Sequence, residues 1–188
     1  MILALDIATR TGWAVGEIGG KPVFGTYRGD PEWGEGRIFS AFAEWLERRV
    51  EEFHVKQLFV EEAYVPRERM RFVRAGQAVP RAGPGPVNMD VIRRLIGLRA
   101  VARMVAWEQQ ARYEELGIGE IARHFTGHAR WVGGRAGKKA ATVRMARFYG
   151  FDVRNDDEAD AVAIWMLGEA RLGGRRPGPL FGLTQTGS

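Results

Sequence analysis

The residues best suited to chemistry in this sequence are carboxylates that follow or open apolar segments. Asp6 comes after the apolar run ILAL, while Glu61 and Glu62 come after the apolar run QLFV. Asp157 and Asp160 are three residues apart at the start of a segment with helical spacing. They therefore project from one helix face near its positive end. Taken singly, these acids also fit a turn, a solvated strand end and the acidic first turn of a helix.

Their combination predicts a shared site. Two strands that end in acids and a late helix that opens with Asp-x-x-Asp can converge at one edge of a sheet. Clustered carboxylates repel one another unless cations neutralise them, and Mg²⁺ is a hard cation that prefers oxygen ligands. Two such ions, about 3.5–4 Å apart, activate a water and stabilise the leaving oxygen of a phosphodiester. We therefore expect Mg²⁺-dependent phosphodiester hydrolysis with two ions per active site, and Mn²⁺ as a substitute.

The composition favours a polyanionic partner. The chain has 188 residues and a formal net charge of +5, carried mainly by arginine, whose planar guanidinium pairs bidentately with phosphate. Cysteine is absent, which excludes disulfides, thiolate zinc sites and a cysteine nucleophile. There is no basic leader before an apolar segment, and no apolar run approaches the roughly 20 residues that span a bilayer. We expect a soluble cytoplasmic protein that binds nucleic acid and no membrane.

Hydrophobic periodicity predicts the elements that must hold these acids in place. Three antiparallel strands, with a hairpin turn at residues 18–21, are predicted at residues 2–5, 12–18 and 21–27. The short apolar run at residues 57–60 predicts a buried parallel strand, and a weak fifth strand is expected at residues 117–121. Helices are predicted at residues 36–53, over roughly 25 residues after an Asn88 cap, at residues 139–149 and at residues 157–171.

Three segments lack a regular period. Residues 66–87 contain four prolines and five arginines and predict a long functional loop. Residues 133–139, GGRAGKK, predict a basic loop that contacts the nucleic-acid backbone. Residues 173–188 are rich in Gly and Pro and predict a flexible tail. We therefore expect one nuclease domain over residues 1–172, followed by the tail at 173–188.

Three motifs resemble those of one nuclease family. Residues 3–15, LALDIATRTGWAV, resemble the first motif of RuvC-type Holliday junction resolvases, in which an apolar strand, an Asp, a turn and a Gly precede a second strand. Residues 59–62, FVEE, are similar to the second motif, and residues 157–164, DEADAVAI, to the last. The resemblance extends to about residue 171. It implies an α/β, RNase H-like mixed sheet, with three antiparallel strands plus parallel strands, flanked by helices.

The resemblance also implies an activity and assigns roles to individual residues. It implies a crossover-junction endodeoxyribonuclease that resolves four-way DNA junctions by paired nicks, acting as a homodimer through the helix after Asn88. The predicted metal ligands are Asp6, Glu61, Asp157 and Asp160, and Lys139 is predicted to assist catalysis. Because side chains alternate along a strand, Glu61 and Glu62 face opposite sides, and we choose Glu61 as the ligand. The expected DNA contacts are Tyr64, which would stack on a splayed base, Arg67, Arg69, Arg71, Phe72, Arg74, Arg135 and Lys138.

Other interpretations stay open. The sequence departs from the family where Asp6-Ile7-Ala8 replaces the usual Asp-Pro-Gly turn, so a phage-type enzyme with a relaxed preference for flaps or forks is an alternative. The same turn also resembles the phosphate turn of sugar kinases and actin-like ATPases, but those proteins need a second lobe. A non-catalytic nucleic-acid-binding module would keep the fold and the basic surface. His124 and His128 have the i, i+4 spacing of zinc ligands, but without a third ligand we expect surface or DNA-facing positions.

Overall fold

Strands and helices alternate along the chain in the computed structural model, which describes residues 1–63, 89–128 and 134–173. The strands are β1 (Ile2–Asp6), β2 (Arg10–Gly16), β3 (Val23–Arg28), β4 (Gln57–Glu61) and β5 (Arg112–Leu116). The helices are α1 (Glu35–Glu52), α2 (Met89–Glu108), α3 (Ile118–Thr126), α4 (Gly134–Phe148) and α5 (Asp156–Leu172). Of the described helices, none combines the length and the apolar character needed to cross a membrane.

The strands form one mixed sheet in the order β3-β2-β1-β4-β5. β1 and β3 each pair with β2 in antiparallel fashion, and the β2–β3 turn contains Gly19 at a φ of +82°. β4 pairs in parallel with both β1 and β5. A parallel pair needs a crossover connection, which α1 supplies between β3 and β4. The predicted α/β class, with three antiparallel strands, further parallel strands and flanking helices, is confirmed.

Helices cover both faces of the sheet, which explains why the central strands are continuously apolar. Leu3 and Leu5 of β1 and Leu58 of β4 pack in one core cluster with side chains of α1 and α2. Ala4 and Phe59 point the other way, into a second cluster formed largely by α5. Because successive side chains alternate between faces, the face that a residue at a strand end occupies can be read from the residue two positions before it.

The α2 helix packs against α1 and leaves an apolar face uncovered among the described residues. Leu98, Ala102 and Val105 are buried against α1, and a Cβ at Gly97 would lie 2.4 Å from the Phe39 ring, so the two helices approach closely there. On the opposite side of the helix, Ile96, Met104 and Trp107 are exposed, and Val91 in the first turn of α2 is exposed as well. The apolar residues of α2 therefore form a packed face and an exposed face.

Two predicted elements are wrong. The fifth strand lies at Arg112–Leu116, not at 117–121, and Gly117 is instead the N-cap of α3. The true strand, RYEEL, is polar because it lies at the edge of the sheet, so its hydrophobic signal is weak. Helix α4 begins at Gly134, so residues 134–139 are helical and do not form the predicted loop. The run of Ala and Lys there favours a helix more than the glycines oppose it.

The histidine prediction is also wrong in part. His124 is buried against α5, where burial lowers its pKa and a hydrogen bond to the backbone of Met166 opposes that effect. His128 is exposed, as expected. The predicted loop at residues 66–87 and residues 174–188 of the predicted tail lie outside the described residues, so the domain boundaries stay predictions.

Candidate active site

Two of the acids lie at the ends of neighbouring parallel strands. Asp6 and Glu61 are the last residues of β1 and β4, and the register pairs Ala4 with Phe59, two positions before each of them. Ala4 and Phe59 both point toward α5, so by alternation Asp6 and Glu61 do so as well. Glu62 follows the strand as an exposed residue, and its backbone N–H donates to the carbonyl of Leu116 at 2.9 Å.

A close approach of β2 to α5 brings the helix acids to the same place. Gly12 of β2 lies opposite Asp6 in the β1–β2 register. A Cβ at Gly12 would lie 1.9 Å from the carbonyl oxygen of Asp157 and 3.3 Å from the Cβ of Ala161. Only glycine leaves room for the first turn of α5 at this point. The glycine therefore allows Asp157 to lie beside the end of β1.

A reciprocal cap defines where α5 begins. The Asn155 side chain accepts a hydrogen bond from the backbone N–H of Glu158 at 3.0 Å. In return, the Glu158 carboxylate accepts a hydrogen bond from the backbone N–H of Arg154 at 2.8 Å. It also accepts two hydrogen bonds from the Arg154 guanidinium, at 2.6 Å and 3.0 Å. This is a capping box shifted by one residue, and the Glu158 side chain is fully buried. The cap fixes the helix start and so the direction of Asp157 and Asp160.

The carboxylates interact electrostatically. Burial raises the pKa of Asp6 well above 3.8, and the negative charges of Glu61, Asp160 and Asp157 raise it further. Burial also raises the pKa of Glu61, although nearby Lys138 opposes this. The pKa of Asp160 rises to about 6, mainly through burial, with Lys138 lowering it and Glu61 raising it. The charges of the other three predicted metal ligands thus all act on Asp6.

Basic side chains surround the four acids. Lys138 lines a small cavity together with Glu61 and Asp160. Two guanidinium nitrogens of Arg99 lie 3.4 Å from the backbone carbonyl oxygen of Glu61, and the charge of Arg99 lowers the pKa of Asp6. The Arg10 guanidinium forms an ion pair with Asp157. These cations reduce the repulsion among acids that share a site.

Lys139, the lysine predicted to assist catalysis, contacts a different acid. Its ammonium group forms an ion pair with Asp156, which is not one of the four predicted ligands. Both this contact and the positive charge of Lys139 lower the pKa of Asp156. Lys138, which the sequence suggested only as a DNA contact, is the neighbour that lines the cavity with Glu61 and Asp160. The catalytic role of Lys139 stays a prediction.

Most of the predicted DNA contacts cannot be placed. Tyr64, Arg67, Arg69, Arg71, Phe72 and Arg74 lie outside the described residues. Arg135 lies in the first turn of α4 at a position where the side chain is not described. Their roles stay predictions.

Sequence reasoning missed three of the groups that shape the site. Arg10 could have been noticed as the basic residue of the turn that begins at Asp6. The capping role of Glu158 is visible in the Asn-x-x-Glu spacing of residues 155–158, which is a helix-start signature. By contrast, no local signal connects Arg99 of α2 with the end of β4, because that contact depends on how the helix packs.

The chemistry of the donors fits a hard divalent cation. The four acids supply only carboxylate oxygens, and Asp6 carries a raised pKa that an adjacent cation would lower. Within the described ranges, however, no three acidic or histidine side chains are already grouped as a metal site. Asp157 faces Arg10, so cation binding would require its carboxylate to turn.

Comparisons with known proteins give structural likenesses. No protein-family model matches the chain, and no match to a curated protein sequence reaches significance. The structure of Thermus thermophilus RuvC matches at a TM-score of 0.65 and 16% identity, covering 94% of this chain and 98% of that one. T. thermophilus RuvC in complex with a Holliday junction substrate matches at a TM-score of 0.63 and 12% identity, covering 94% of this chain and 98% of that one. The yeast mitochondrial Holliday junction resolvase Ydc2 matches at a TM-score of 0.54 and 11% identity, covering 92% of this chain and 80% of that one.

These likenesses confirm the RNase H-like fold predicted from the motifs. The proteins concerned are Holliday junction resolvases, the group that residues 3–15, 59–62 and 157–164 resemble. At these levels of identity the likeness concerns the fold.

Proposed function

We propose that this chain is a divalent-metal-dependent endodeoxyribonuclease that cleaves branched DNA, with the four-way Holliday junction as its principal substrate. The observation that carries the proposal is the cluster of Asp6, Glu61, Asp157 and Asp160, in which burial and the three neighbouring negative charges raise the pKa of Asp6. A fold shared with T. thermophilus RuvC in complex with a Holliday junction substrate supports the same class of substrate. The nuclease domain would extend over residues 1–172.

The four acids would hold two Mg²⁺ ions, or Mn²⁺ in their place. When bound, such ions polarise the phosphodiester and lower the pKa of a bound water. The chain's own contribution is a set of oxygen donors on a rigid sheet edge and a capped helix, which keeps their spacing fixed. Because the pKa of Asp160 is about 6, this ligand loses its proton as the pH rises through about 6, and cation binding near or below that pH would release a proton.

The basic residues would serve the nucleic acid. Lys138, which lines a cavity with Glu61 and Asp160, would contact a phosphate oxygen near the cleaved bond. Lys139 would assist catalysis by holding Asp156 and limiting negative charge at the start of α5. Tyr64 would stack on an unpaired base, and the DNA surface would further include Arg67, Arg69, Arg71, Phe72, Arg74 and Arg135.

A homodimer suits this substrate. A four-way junction has two-fold symmetry and paired nicks need two active sites, so a symmetric dimer would present one site to each of two strands. The exposed apolar face of α2, which includes Ile96, Met104 and Trp107, supports an interface at that helix. Exposed apolar groups clustered on one face are typical of protein contacts.

A panel of labelled DNAs tests the proposal. Four-way junctions, flaps, forks and linear duplexes are incubated with the wild-type chain in Mg²⁺, Mn²⁺ or EDTA, and products are resolved at nucleotide resolution. We expect symmetric nicks in the junction with either cation and none in EDTA. Asp6→Asn, which keeps the shape of the side chain and removes its charge, should still bind the junction without cutting it. Cation-independent binding without cleavage by the wild type would support a non-catalytic module instead.

A further inference from the structure

Arg10 lies at the edge of the acidic cluster and contacts it directly. It is the first residue of β2, four positions after Asp6. Its Nε donates a hydrogen bond to the Asp157 carboxylate, and a terminal nitrogen lies 3.8 Å from Asp156. The Arg10 side chain is 45% exposed, whereas that of Asp157 is 13% exposed. A solvent-facing cation therefore covers an acid that is otherwise largely enclosed.

The surrounding cations differ in what they contact. Lys139 forms its ion pair with Asp156, outside the four proposed ligands. Arg99 lies near the backbone carbonyl of Glu61. Arg10, by contrast, contacts a side-chain oxygen of Asp157, and a metal ion would need the oxygens of that carboxylate.

We propose that Arg10 competes with the divalent cation for Asp157 and thereby sets the cation affinity of the site. This inference rests on the proposed function, because it takes the four acids as the cation ligands. A carboxylate oxygen that accepts a hydrogen bond from a guanidinium has that lone pair occupied, and the positive charge of Arg10 would repel a cation bound to the same carboxylate. The half-exposed arginine can move into water at little cost, because solvent already screens such an ion pair. Asp157 would then turn to the cation.

Cation affinity of the full chain without DNA tests this directly. Mn²⁺ is titrated calorimetrically into the wild type and into Arg10→Gln, which keeps a polar side chain of similar length and removes the charge. We expect Arg10→Gln to bind Mn²⁺ about threefold to tenfold more tightly, the range expected for losing one partly exposed ion pair. Arg171→Gln is the matched control, because Arg171 forms ion pairs with Glu114 and Glu120 away from the cluster. Unchanged or weaker binding by Arg10→Gln would overturn the inference.

Thermal unfolding provides a second readout. In EDTA, Arg10→Gln should melt below the wild type, because the Asp157 charge has lost its partner. At saturating Mn²⁺ the two melting temperatures should converge, since Arg10 no longer holds Asp157 in either protein. A deficit of equal size in both conditions would mean that the pair is purely structural and does not compete with the cation.

Asp6→Asn separates failure of this inference from failure of the proposed function. If the wild type binds no Mn²⁺, or if Asp6→Asn binds it equally well, the acids are not the cation ligands and both proposals fail. If Asp6→Asn loses Mn²⁺ binding while Arg10→Gln matches the wild type, only the competition by Arg10 is wrong.

Discussion

Replacing Asp160 by Asn should make the metal-free protein more stable at alkaline pH. The pKa of Asp160 rises from 3.8 to about 6 in the folded chain, and one pKa unit corresponds to about 1.4 kcal/mol. Keeping this carboxylate ionised therefore costs the folded state about 3 kcal/mol at pH 8. Asn has the same size without the charge, so the free energy of unfolding should rise by up to about 3 kcal/mol. For a chain of this length that is a gain of about 6–12 °C in melting temperature.

The gain should depend on pH in a defined direction. A raised pKa means that the folded state holds the proton more strongly than the unfolded state. The contribution of Asp160 to stability is therefore complete below pH 3.8 and is lost as the pH rises through about 6. At pH 5 the advantage of Asp160→Asn should fall to about half of its value at pH 8, because the folded wild type is then mostly protonated at this site. Saturating Mg²⁺ at pH 8 should stabilise the wild type more than the variant.

Urea denaturation in EDTA at pH 8 and pH 5 measures both effects. Asp152→Asn is the control, since Asp152 is exposed just before the same helix and its substitution should change stability by less than about 0.5 kcal/mol. A less stable Asp160→Asn at pH 8, or a gain of the same size at both pH values, would refute the reasoning from buried charge.

Three further predictions concern the site and the assembly. Glu61→Gln should abolish cation-dependent junction cleavage while Glu62→Gln retains it; the reverse result in a gel assay would show that the other acid faces the cluster. Gly12→Ala should lower the free energy of unfolding, measured in urea, by about 3 kcal/mol, because the new Cβ would overlap the Asp157 carbonyl oxygen. A decrease of less than about 1 kcal/mol would contradict the close packing of β2 against α5. Sedimentation should give a dimer at micromolar concentration and a monomer for Trp107→Glu; a wild type that stays monomeric with and without junction DNA would contradict the dimer.

The sequence predicted the centre of the sheet well because burial on both faces leaves a strong pattern. β1 and β4 are short, mostly apolar runs, and each ends in an acid. The edge strand β5 was missed because only its last residue, Leu116, is buried, so its sequence carries the polarity of a loop. Helix α3 overlaps the strand predicted at residues 117–121, because it has only nine residues and its apolar residues also fit a strand.

The acids of the candidate site could be proposed from the sequence, whereas the basic residues that contact them could not. Carboxylates at strand ends and at a helix start are conspicuous in the sequence, since such positions converge at one sheet edge. Which lysine faces them depends on the rotation of α4, and the sequence alone could not distinguish Lys138 from Lys139. The contact between Arg99 and β4 joins residues far apart in the chain. Such contacts depend on packing between elements, which periodicity does not report.

The position of α5 on the sheet also has a consequence during synthesis. Asp6 leaves the ribosome well before Asp157 and Asp160, which are among the last described residues. These acids meet only when Gly12 packs against the first turn of α5. Trp165 and Leu167 of the same helix complete the second core cluster. A nascent chain that has formed β1 to β4 therefore contains half of the acidic cluster and an open hydrophobic face. Completion of the acidic cluster and closure of that core therefore become the same late event, so a partly made chain would lack the proposed active site.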